Sequence, residues 1–390
     1  MNAPDSPRPS ALDWLVEAAR VRDAEGLHRT LIPRHAGDDV LNLASNDYLG
    51  LSTDPRVITG ATEAVQTWGA GATASRLVTG TTALHDDLEH ELAEFLGTAS
   101  ALVFSSGYLA NVGVITALMG RGDLIVSDGG AHASLIDGCR LSRARVVVVD
   151  RGDHEAVRTA LRERTEDRAM VVTDSVYSID GAVAPVAELY AAAREHGALL
   201  VVDEAHALGV RGRGGRGVVD ELGLTGAVDL VVTAVLSKSF GSQGGLVAGP
   251  ATLRDHLVDR ARSFIFDTGL APSAVGAARA ALGVLRAEPD LCDRVRDNAR
   301  RLAAACDAEA PSAAVVSLII GEPADALEVA RRCRADGVVV GCFRPPSVPP
   351  GTSRIRLTVR ADLDADQLDR VAQVVNRARA AVVAADAVIR

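Results

Sequence analysis

Apolar runs alternate with amphipathic segments between residues 60 and 280, and this alternation restricts the chain to few folds. Uninterrupted apolar runs of strand length predict strands buried on both faces, as in a parallel sheet that helices cover on each side. Helices over 153–163 and 186–196 fit between the runs. The predicted strands are Ala101 to Phe104, Leu124 to Ser127, Arg145 to Val149, Met170 to Asp174, Ala198 to Asp203 and Asp229 to Leu236.

The segments on either side of this region predict an arm and a smaller domain. A helix near residues 10–27 and a polar turn ending at Gly50 form the arm. A long alanine-rich helical stretch over 272–309 leads to strands near 314–320, 337–343 and 354–359 and to a last helix from about residue 364. We therefore predict three parts: an N-terminal arm over 1–50 that packs with the small domain, a large domain over 51–280 and a small α+β domain over 281–390.

Composition and charge favour a small-molecule substrate. The chain of 390 residues is 48% hydrophobic, carries a formal net charge of -10, and scatters its arginines rather than gathering them into a basic stripe. This argues against a nucleic-acid or anionic-membrane partner. There is no secretory signal or spanning run, and the cysteines show neither CxxC nor metal-ligand spacing, so we expect a reducing cytoplasm and no metal site. The cysteines are Cys139, Cys292, Cys306, Cys333 and Cys342.

Lys238 is the only lysine among 41 basic residues. A guanidinium stays protonated in proteins, whereas a desolvated lysine amine can lose its proton and attack a carbonyl to form a Schiff base. Lys238 lies two residues beyond an apolar strand, in a glycine-rich turn, a position where chains place reactive groups. The alternative is a surface lysine retained by chance.

Two other motifs suggest nucleotide binding, and their contexts argue against it. Leu199-Leu-Val-Val-Asp-Glu-Ala-His206 resembles the Walker B stretch of DEAH helicases, but the phosphate-binding Gly-x-x-x-x-Gly-Lys-Ser/Thr loop is absent. Gly212-Arg-Gly-Gly-Arg-Gly217 fits GxGxxG, but a dinucleotide site needs that turn to open a helix in a βαβ unit. We therefore expect a surface loop at 212–217.

If Lys238 carries an aldehyde cofactor, other residues acquire roles. Asp203 would place a carboxylate on the pyridinium nitrogen of pyridoxal phosphate, although a structural aspartate is the alternative. Phe104-Ser-Ser-Gly107-Tyr108 breaks a strand at a glycine and begins a helix, whose N-terminus favours a phosphate. His132 follows the next strand and could stack on the ring, although a lone histidine is more often structural.

Together these motifs resemble the α-oxoamine synthases, which are pyridoxal-phosphate (PLP) enzymes of fold type I, the aspartate aminotransferase-like fold. The resemblance covers nearly the whole chain, in order. It rests on Ser45-Asn-Asp-Tyr-Leu-Gly50, Gly69-Ala-Gly-Ala-Thr-Ala-Ser-Arg-Leu-Val-Thr-Gly80, Ser105-Ser-Gly-Tyr108, His132-Ala-Ser134, Asp203-Glu-Ala-His206, Ser237-Lys238 and Arg344-Pro-Pro-Ser-Val-Pro-Pro-Gly-Thr352.

The resemblance implies a role for each matching residue. Lys238 forms the Schiff base, Asp203 meets the ring nitrogen, His206 lies near the ring hydroxyl and His132 stacks on the ring. The further cofactor contacts are Gly107, Tyr108, Ser178 and Thr268, and the substrate-side positions are His28, Arg29, Asn46, His132 and Ser347.

The resemblance also implies the reaction and the assembly. L-Alanine is expected to condense with pimeloyl-CoA or another pimeloyl thioester, releasing CoA and CO2. A sister synthase that joins glycine or serine to another acyl-CoA is the alternative, and a cofactor-free partner subunit is a rival of another class. A homodimer is expected, in which residues 263–269 reach the neighbour's cofactor.

The chain departs from the family pattern at two positions. Val235 stands where the family usually has a threonine that touches the phosphate, and His28, followed by Arg29, stands where it often has arginine. Either change could weaken binding. Thr233 or Ser237 could take over the phosphate contact.

Overall fold

The computed structural model describes residues 10–389, with side chains through residue 384. Met1 and the rest of the first nine residues of the predicted arm therefore lie outside the described residues. The strands are β1 Leu41–Leu43, β2 Ser100–Phe104, β3 Leu124–Asp128, β4 Arg145–Val149, β5 Ala169–Asp174, β6 Leu199–Asp203, β7 Leu230–Val235, β8 Gly245–Gly249, β9 Val315–Gly321, β10 Val338–Phe343 and β11 Ser353–Thr358.

The helices cover much of the remaining chain. They are α1 Trp14–Ala24, α2 Pro55–Trp68, α3 Ala83–Leu96, α4 Gly107–Leu118, α5 Ala133–Ser142, α6 His154–Arg162, α7 Val186–Glu195, α8 Val218–Glu221, α9 Ala251–Arg260, α10 Arg262–Ile265, α11 Pro272–Ala287, α12 Leu291–Ala305, α13 Pro323–Ala335 and α14 Ala365–Ile389. Short helical turns lie at Leu51–Thr53, Arg76–Gly80 and Arg213–Gly215.

A seven-stranded sheet organises the larger part of the molecule. Its order is β2-β8-β7-β6-β5-β3-β4, and only β8 runs antiparallel to its neighbours β2 and β7. All six residues of β5 are buried. Successive strand residues point to opposite faces, so Val171 enters one apolar core and Val172 the other. The two-faced burial explains the uninterrupted apolar runs of the sequence.

The parallel strands bring their carboxyl ends to one edge of this sheet. β3, β5 and β6 each end in an aspartate, namely Asp128, Asp174 and Asp203. Asp174 and Asp203 lie directly opposite each other in the register of β5 and β6. Thr233 of β7 lies opposite Asp203 on its other side. This edge therefore gathers the polar residues that follow the buried strands.

The described chain divides into two compact units. Among the described residues, the first comprises 10–44, 317–356 and 370–389, and the second comprises 45–316 and 357–369. A four-stranded sheet has the order β1-β10-β11-β9, with β1 parallel to β10 and β10 antiparallel to β11. The division predicted at residues 50 and 280 stays a prediction. Within residues 10–389, no helix is both long and apolar enough to cross a membrane.

The structure confirms the predicted α/β class, with a mostly parallel sheet and all six predicted strands. It corrects four details. The stretch 272–309 is two helices, because Pro289 disfavours helical backbone at Glu288, whose ψ is 65°. β8 was missed since its short run begins and ends in glycine, and α13 was missed between β9 and β10. The 212–217 turn is followed by the four-residue helix α8, but no βαβ unit begins there.

Candidate active site

Lys238 lies just beyond the carboxyl end of β7, beside His206. Its Nζ is 3.0 Å from Nε2 of His206, and the hydroxyl of Tyr48 forms a hydrogen bond with Nδ1 of the same ring. Tyr48 is fully buried and His206 is 4% exposed, so this side of the amine is shielded from bulk water. The structure thus brings the predicted Schiff-base lysine and the predicted ring-hydroxyl histidine into direct contact.

Asp203 ends β6 and is held by two N–H groups. Oδ1 accepts from the backbone N–H of Ala205 at 2.8 Å, and Oδ2 accepts from the side-chain amide of Asn111 at 2.7 Å. The carboxyl group is 4% exposed and lines the same cleft as Lys238. A carboxylate fixed in this way can accept a further hydrogen bond from a protonated ring nitrogen.

His132 caps helix α5 and is neutral. Its backbone N–H donates to Oδ2 of Asp174 at 2.7 Å, and its Nδ1 accepts from the backbone N–H of Ser134 at 3.2 Å. Burial is the main cause that lowers the pKa of His132; Asp203 opposes this effect and the charge of Lys238 adds to it. Since Nδ1 accepts, the ring proton of the neutral histidine is on Nε2.

The N-terminus of α4 provides an anion site at the end of the cleft. Ser106 caps the helix by accepting from the N–H of Leu109, while the first helical N–H groups, those of Gly107 and Tyr108, have no partner within a helix. A Cβ on Gly107 would lie 2.1 Å from Cγ1 of Val235. Only glycine therefore fits here, and it leaves the helix N-terminus open to a phosphate.

These groups fit pyridoxal phosphate in kind and arrangement. In one cleft, the amine of Lys238 can bind an aldehyde and the buried carboxylate of Asp203 a pyridinium nitrogen. The neutral imidazole of His132 can pack on a ring face, and the helix N-terminus can bind a phosphate. Its cavity volume is about 40 Å³. The lining residues are Gly107, Tyr108, Asn111, His132, Ser134, Asp174, Asp203, Ala205, His206, Val235 and Lys238.

Other predicted site residues lie outside this lining. Ser178 lies in the turn that follows β5, directly after Tyr177, and Asn46 lies two residues before Tyr48. Thr268 is exposed and forms an isolated antiparallel bridge with Ser75. His28, Arg29 and Ser347 lie together in the first unit, where they line a cavity of about 660 Å³.

Two further acids are buried at the same edge of the sheet. Burial is the main cause that raises the pKa of Asp174 well above its usual range, and the neighbouring Asp203 adds to it. Glu204 accepts from the N–H groups of Val218 and Val219 at 3.0 and 2.8 Å. Burial nevertheless outweighs these bonds and raises the pKa of Glu204 to about 7.

No role was predicted from the sequence for Asn111, Ser134, Tyr48 or Asp174. Two signals were available. Asn111 lies one helical turn after Gly107, on the same face of α4, and Asp174 ends the strand next to that of Asp203. Ser134 and Tyr48 offer no such spacing signal, because their contacts depend on the tertiary fold.

Thr233 is not placed to replace the missing phosphate hydroxyl. Its Oγ1 donates to Oδ1 of Asn111 at 2.6 Å, and the residue is 1% exposed. A hydroxyl has one proton to donate, and here that proton is committed. The suggestion that Thr233 compensates for Val235 is therefore wrong on geometric grounds, while Ser237 is exposed beside Lys238.

Three comparisons relate the chain to known proteins. Residues 38–375 match the family model for aminotransferase class I and II. The chain is 61% identical over 366 residues to 8-amino-7-oxononanoate synthase of Mycobacterium sp. (strain JLS), covering 94% of this chain and 96% of that protein. A similar solved structure is a lysine-to-alanine variant of serine palmitoyltransferase from S. paucimobilis with a bound PLP–myriocin aldimine (TM-score 0.89, 30% identity, 96% of this chain and 100% of that one). Another is 8-amino-7-oxononanoate synthase from Francisella tularensis (TM-score 0.74, 25% identity, 87% and 98%).

Proposed function

The chain belongs to the class I and II aminotransferase family and groups with its 8-amino-7-oxononanoate synthases, and from this premise we propose that it condenses L-alanine with a pimeloyl thioester in biotin biosynthesis. The products are 8-amino-7-oxononanoate, the free thiol carrier and CO2. The observation that carries the proposal is that the only lysine of the chain, Lys238, lies in one cleft with Asp203. The fold-type-I and PLP predictions are confirmed by the family and by the PLP-containing structural relative.

Bound PLP supplies an electron sink for the negative charge that develops at the substrate Cα. Asp203 holds a proton on the ring nitrogen, so that the ring can draw that charge. His132 presents its neutral ring to one face of the cofactor, and the N–H groups at Gly107 and Tyr108 bind the phosphate. These four residues bind and orient; none of them has to change its covalent state.

Lys238 has two tasks at one atom. Its Nζ anchors the cofactor, and once the amine is free it takes the proton from the substrate Cα. When Tyr48 donates to Nδ1 of His206, the proton of that neutral ring is on Nε2, 3.0 Å from the amine. In that tautomer, the Nε2–H can donate to the lone pair of the amine once the amine is unprotonated.

The acyl substrate is assigned to residues predicted on the substrate side. His28, Arg29 and Ser347 share a cavity of the first unit, and His28 Nδ1 lies 3.0 Å from Oδ1 of Asp23. Asn46 is assigned to the substrate by the same resemblance. Asn46 and Ser347 are supported by their match to the family motif, and His28 and Arg29 by their position where the family often has arginine. His28, Arg29 and Ser347 are further supported by the cavity that they share.

A homodimer completes the proposal, with Ser178 and Thr268 as further cofactor contacts. Thr268 and Phe266 are exposed, and Thr268 is absent from the lining of its own chain's cleft, as expected for a residue that serves a neighbour. We expect light scattering to give a dimer. Mixing inactive Lys238→Ala chains with inactive Thr268→Val chains should restore activity; a fully active monomer would contradict the arrangement.

The substrate choice is tested by one assay. Alanine, glycine and serine are compared across CoA thioesters of different acyl length, and we expect the highest kcat/KM for L-alanine with pimeloyl-CoA. The alternative, a sister synthase using glycine or serine, is favoured by the 30% identity to serine palmitoyltransferase but opposed by 61% identity to the mycobacterial synthase. Preference for serine with a long-chain thioester would decide for the alternative.

We also infer a cytoplasmic location. All five cysteines are free thiols in the structure, and four of them are buried. A reducing compartment keeps thiols in this state.

A further inference from the structure

Asn111 connects the two residues that are expected to contact the cofactor ring at its nitrogen and on its face. It is 2% exposed, and its side-chain amide N–H2 donates to Asp203 Oδ2 at 2.7 Å and to Ser134 Oγ at 2.9 Å. The Ser134 hydroxyl lies 2.8 Å from Nδ1 of His132. One amide group therefore reaches both Asp203 and, through a serine, His132.

One arrangement of the hydrogen atoms satisfies the donors and acceptors of this network. A carboxylate can only accept, so Nδ2 of Asn111 must face Asp203 and Oδ1 must face away from it. Oδ1 then requires a donor, which is the hydroxyl of Thr233 at 2.6 Å. Ser134 Oγ accepts from Asn111, which directs its own proton to Nδ1 of His132, the nitrogen that also accepts from the Ser134 backbone N–H.

We propose that Asn111, oriented by Thr233, is a positioning residue that holds Asp203 as an acceptor for the ring nitrogen and fixes the Nε2–H tautomer of His132. This inference rests on the proposed cofactor site. It adds a residue on α4 and another on β7 that act through Asp203 and His132 without contacting the substrate. A purely structural role would require only that the polar groups be satisfied.

Two substitutions change the network without changing side-chain volume. Asn111→Asp removes the donor N–H2 and places a second carboxylate against Asp203; Thr233→Val removes the hydroxyl that orients the amide. Because Asn111→Asp removes a hydrogen bond to a charged group, we expect its apoprotein to bind PLP about tenfold to hundredfold more weakly. Thr233→Val should show a smaller loss in the same direction, and Thr233→Ser should restore binding.

The matched control is Thr173→Val. Thr173 is fully buried on β5 and donates to a different carboxylate, Asp128, at 3.0 Å. Thr173→Val removes a threonine hydroxyl from the same sheet, as Thr233→Val does, but Thr173 lies outside the Asn111 network. We expect the PLP affinity and the rate of alanine α-proton exchange of Thr173→Val to be close to those of the wild type. Thr233→Val should lower the PLP affinity and the exchange rate while changing KM for alanine little.

A cofactor-independent measurement completes the test. In apoprotein labelled with ¹⁵N-histidine, and with the His132 signals assigned by His132→Gln, Nδ1 should have the shift of an acceptor nitrogen and Nε2 that of a protonated one. Asn111→Asp should move the Nδ1 signal, since the Ser134 hydroxyl then donates to the new carboxylate. The proposal is overturned if Thr233→Val loses no more than Thr173→Val, or if the His132 signals do not respond to Asn111→Asp. Failure of pimeloyl-CoA turnover in the wild type would instead count against the proposed reaction, since neither PLP binding nor the histidine signals depend on the acyl substrate.

Discussion

The two edges of the seven-stranded sheet differ in kind. At the carboxyl edge, β3, β5 and β6 end in Asp128, Asp174 and Asp203, whereas at the amino edge the same strands begin with Leu124, Ala169 and Leu199. The larger cavity, about 640 Å³, lies at the amino edge, while the cleft at Lys238 has about 40 Å³. Apolar side chains such as Leu199, Leu230 and Leu253 line the larger one.

The difference shows that the chemistry of a site is indicated by its buried polar groups rather than by its volume. Burying a carboxylate is costly unless donors satisfy it. Asp128 accepts from Thr173, Tyr177 and Gly130, and Asp203 accepts from Asn111 and Ala205. At the amino edge, the buried carboxylate of Asp123 accepts instead from Arg168, whose side chain is mostly exposed. We therefore expect substitutions at the amino edge to leave the donors of Asp203 in place.

A large loss of turnover is expected when the acid at the ring nitrogen is neutralised. With PLP in saturating amounts, Asp203→Asn should still form the Schiff base yet lose about 10²- to 10³-fold in turnover, because a neutral amide no longer stabilises a protonated ring nitrogen. The measurement is steady-state turnover together with exchange of the alanine α-proton. Exchange at a rate close to wild type would show that Asp203 does not have this role.

The next effect concerns stability against pH. Burial raises the pKa of Glu204 from 4.5 to about 7, so the folded chain holds a proton that the unfolded chain has released. The contribution of Glu204 to stability is therefore full below about pH 4.5 and is lost as the pH rises through about 7, a loss on the order of 3 kcal/mol.

Glu204→Gln removes the ionisable group and should flatten this dependence. Urea unfolding of apoprotein at about pH 5 and about pH 8 measures it, with the wild type losing more free energy of unfolding between the two conditions than the variant. Equal losses in both proteins would mean that Glu204 ionises normally in the folded state.

A smaller effect sharpens the phosphate end of the cleft. Val235 lines the cleft beside Gly107, and Val235→Thr replaces a methyl by a hydroxyl at nearly constant volume. One added hydrogen bond to the phosphate should tighten PLP binding about tenfold. Unchanged affinity in a titration of apoprotein would indicate that another group already occupies that position.

The smallest effect is expected at the opposite edge. Val228 is 64% exposed at the larger cavity. Val228→Ser should change turnover by less than about twofold, because surface substitutions alter free energies by under about 0.5 kcal/mol. A large loss of alanine-dependent turnover in a normally folded variant would show that the amino edge is coupled to the site at the carboxyl edge.

Much of this contrast could be predicted from the sequence, and part of it could not. The apolar runs predicted all six parallel strands, and the strand-end positions of Asp203 and Lys238 predicted the edge at which they meet. Hydrogen bonds between segments that are far apart in the sequence could not be predicted from it. Asn111 and Asp203 are 92 residues apart, and Tyr48 and His206 are 158 apart, so only the folded chain brings these pairs together.

Local chemistry misled the sequence reasoning where tertiary packing decided the outcome. β8 begins and ends in glycine, which favours a turn, yet pairing with β2 and β7 makes it a strand. Thr233 carries a hydroxyl two residues from Val235, but successive strand residues on one face still have distinct partners, and Thr233 donates to Asn111. Spacing alone did not distinguish these partners.

Reduction with borohydride tests the central claim most directly, because the chain has a single lysine. After reduction of the PLP-loaded protein and peptide mass analysis, we predict one pyridoxyl group per chain, on the peptide containing Leu236 to Phe240 and not on the amine of Met1. Lys238→Arg, which keeps the charge but cannot condense with an aldehyde, should lose both the adduct and turnover. An adduct found only on the N-terminal amine, or normal turnover in Lys238→Arg, would contradict the assignment of Lys238.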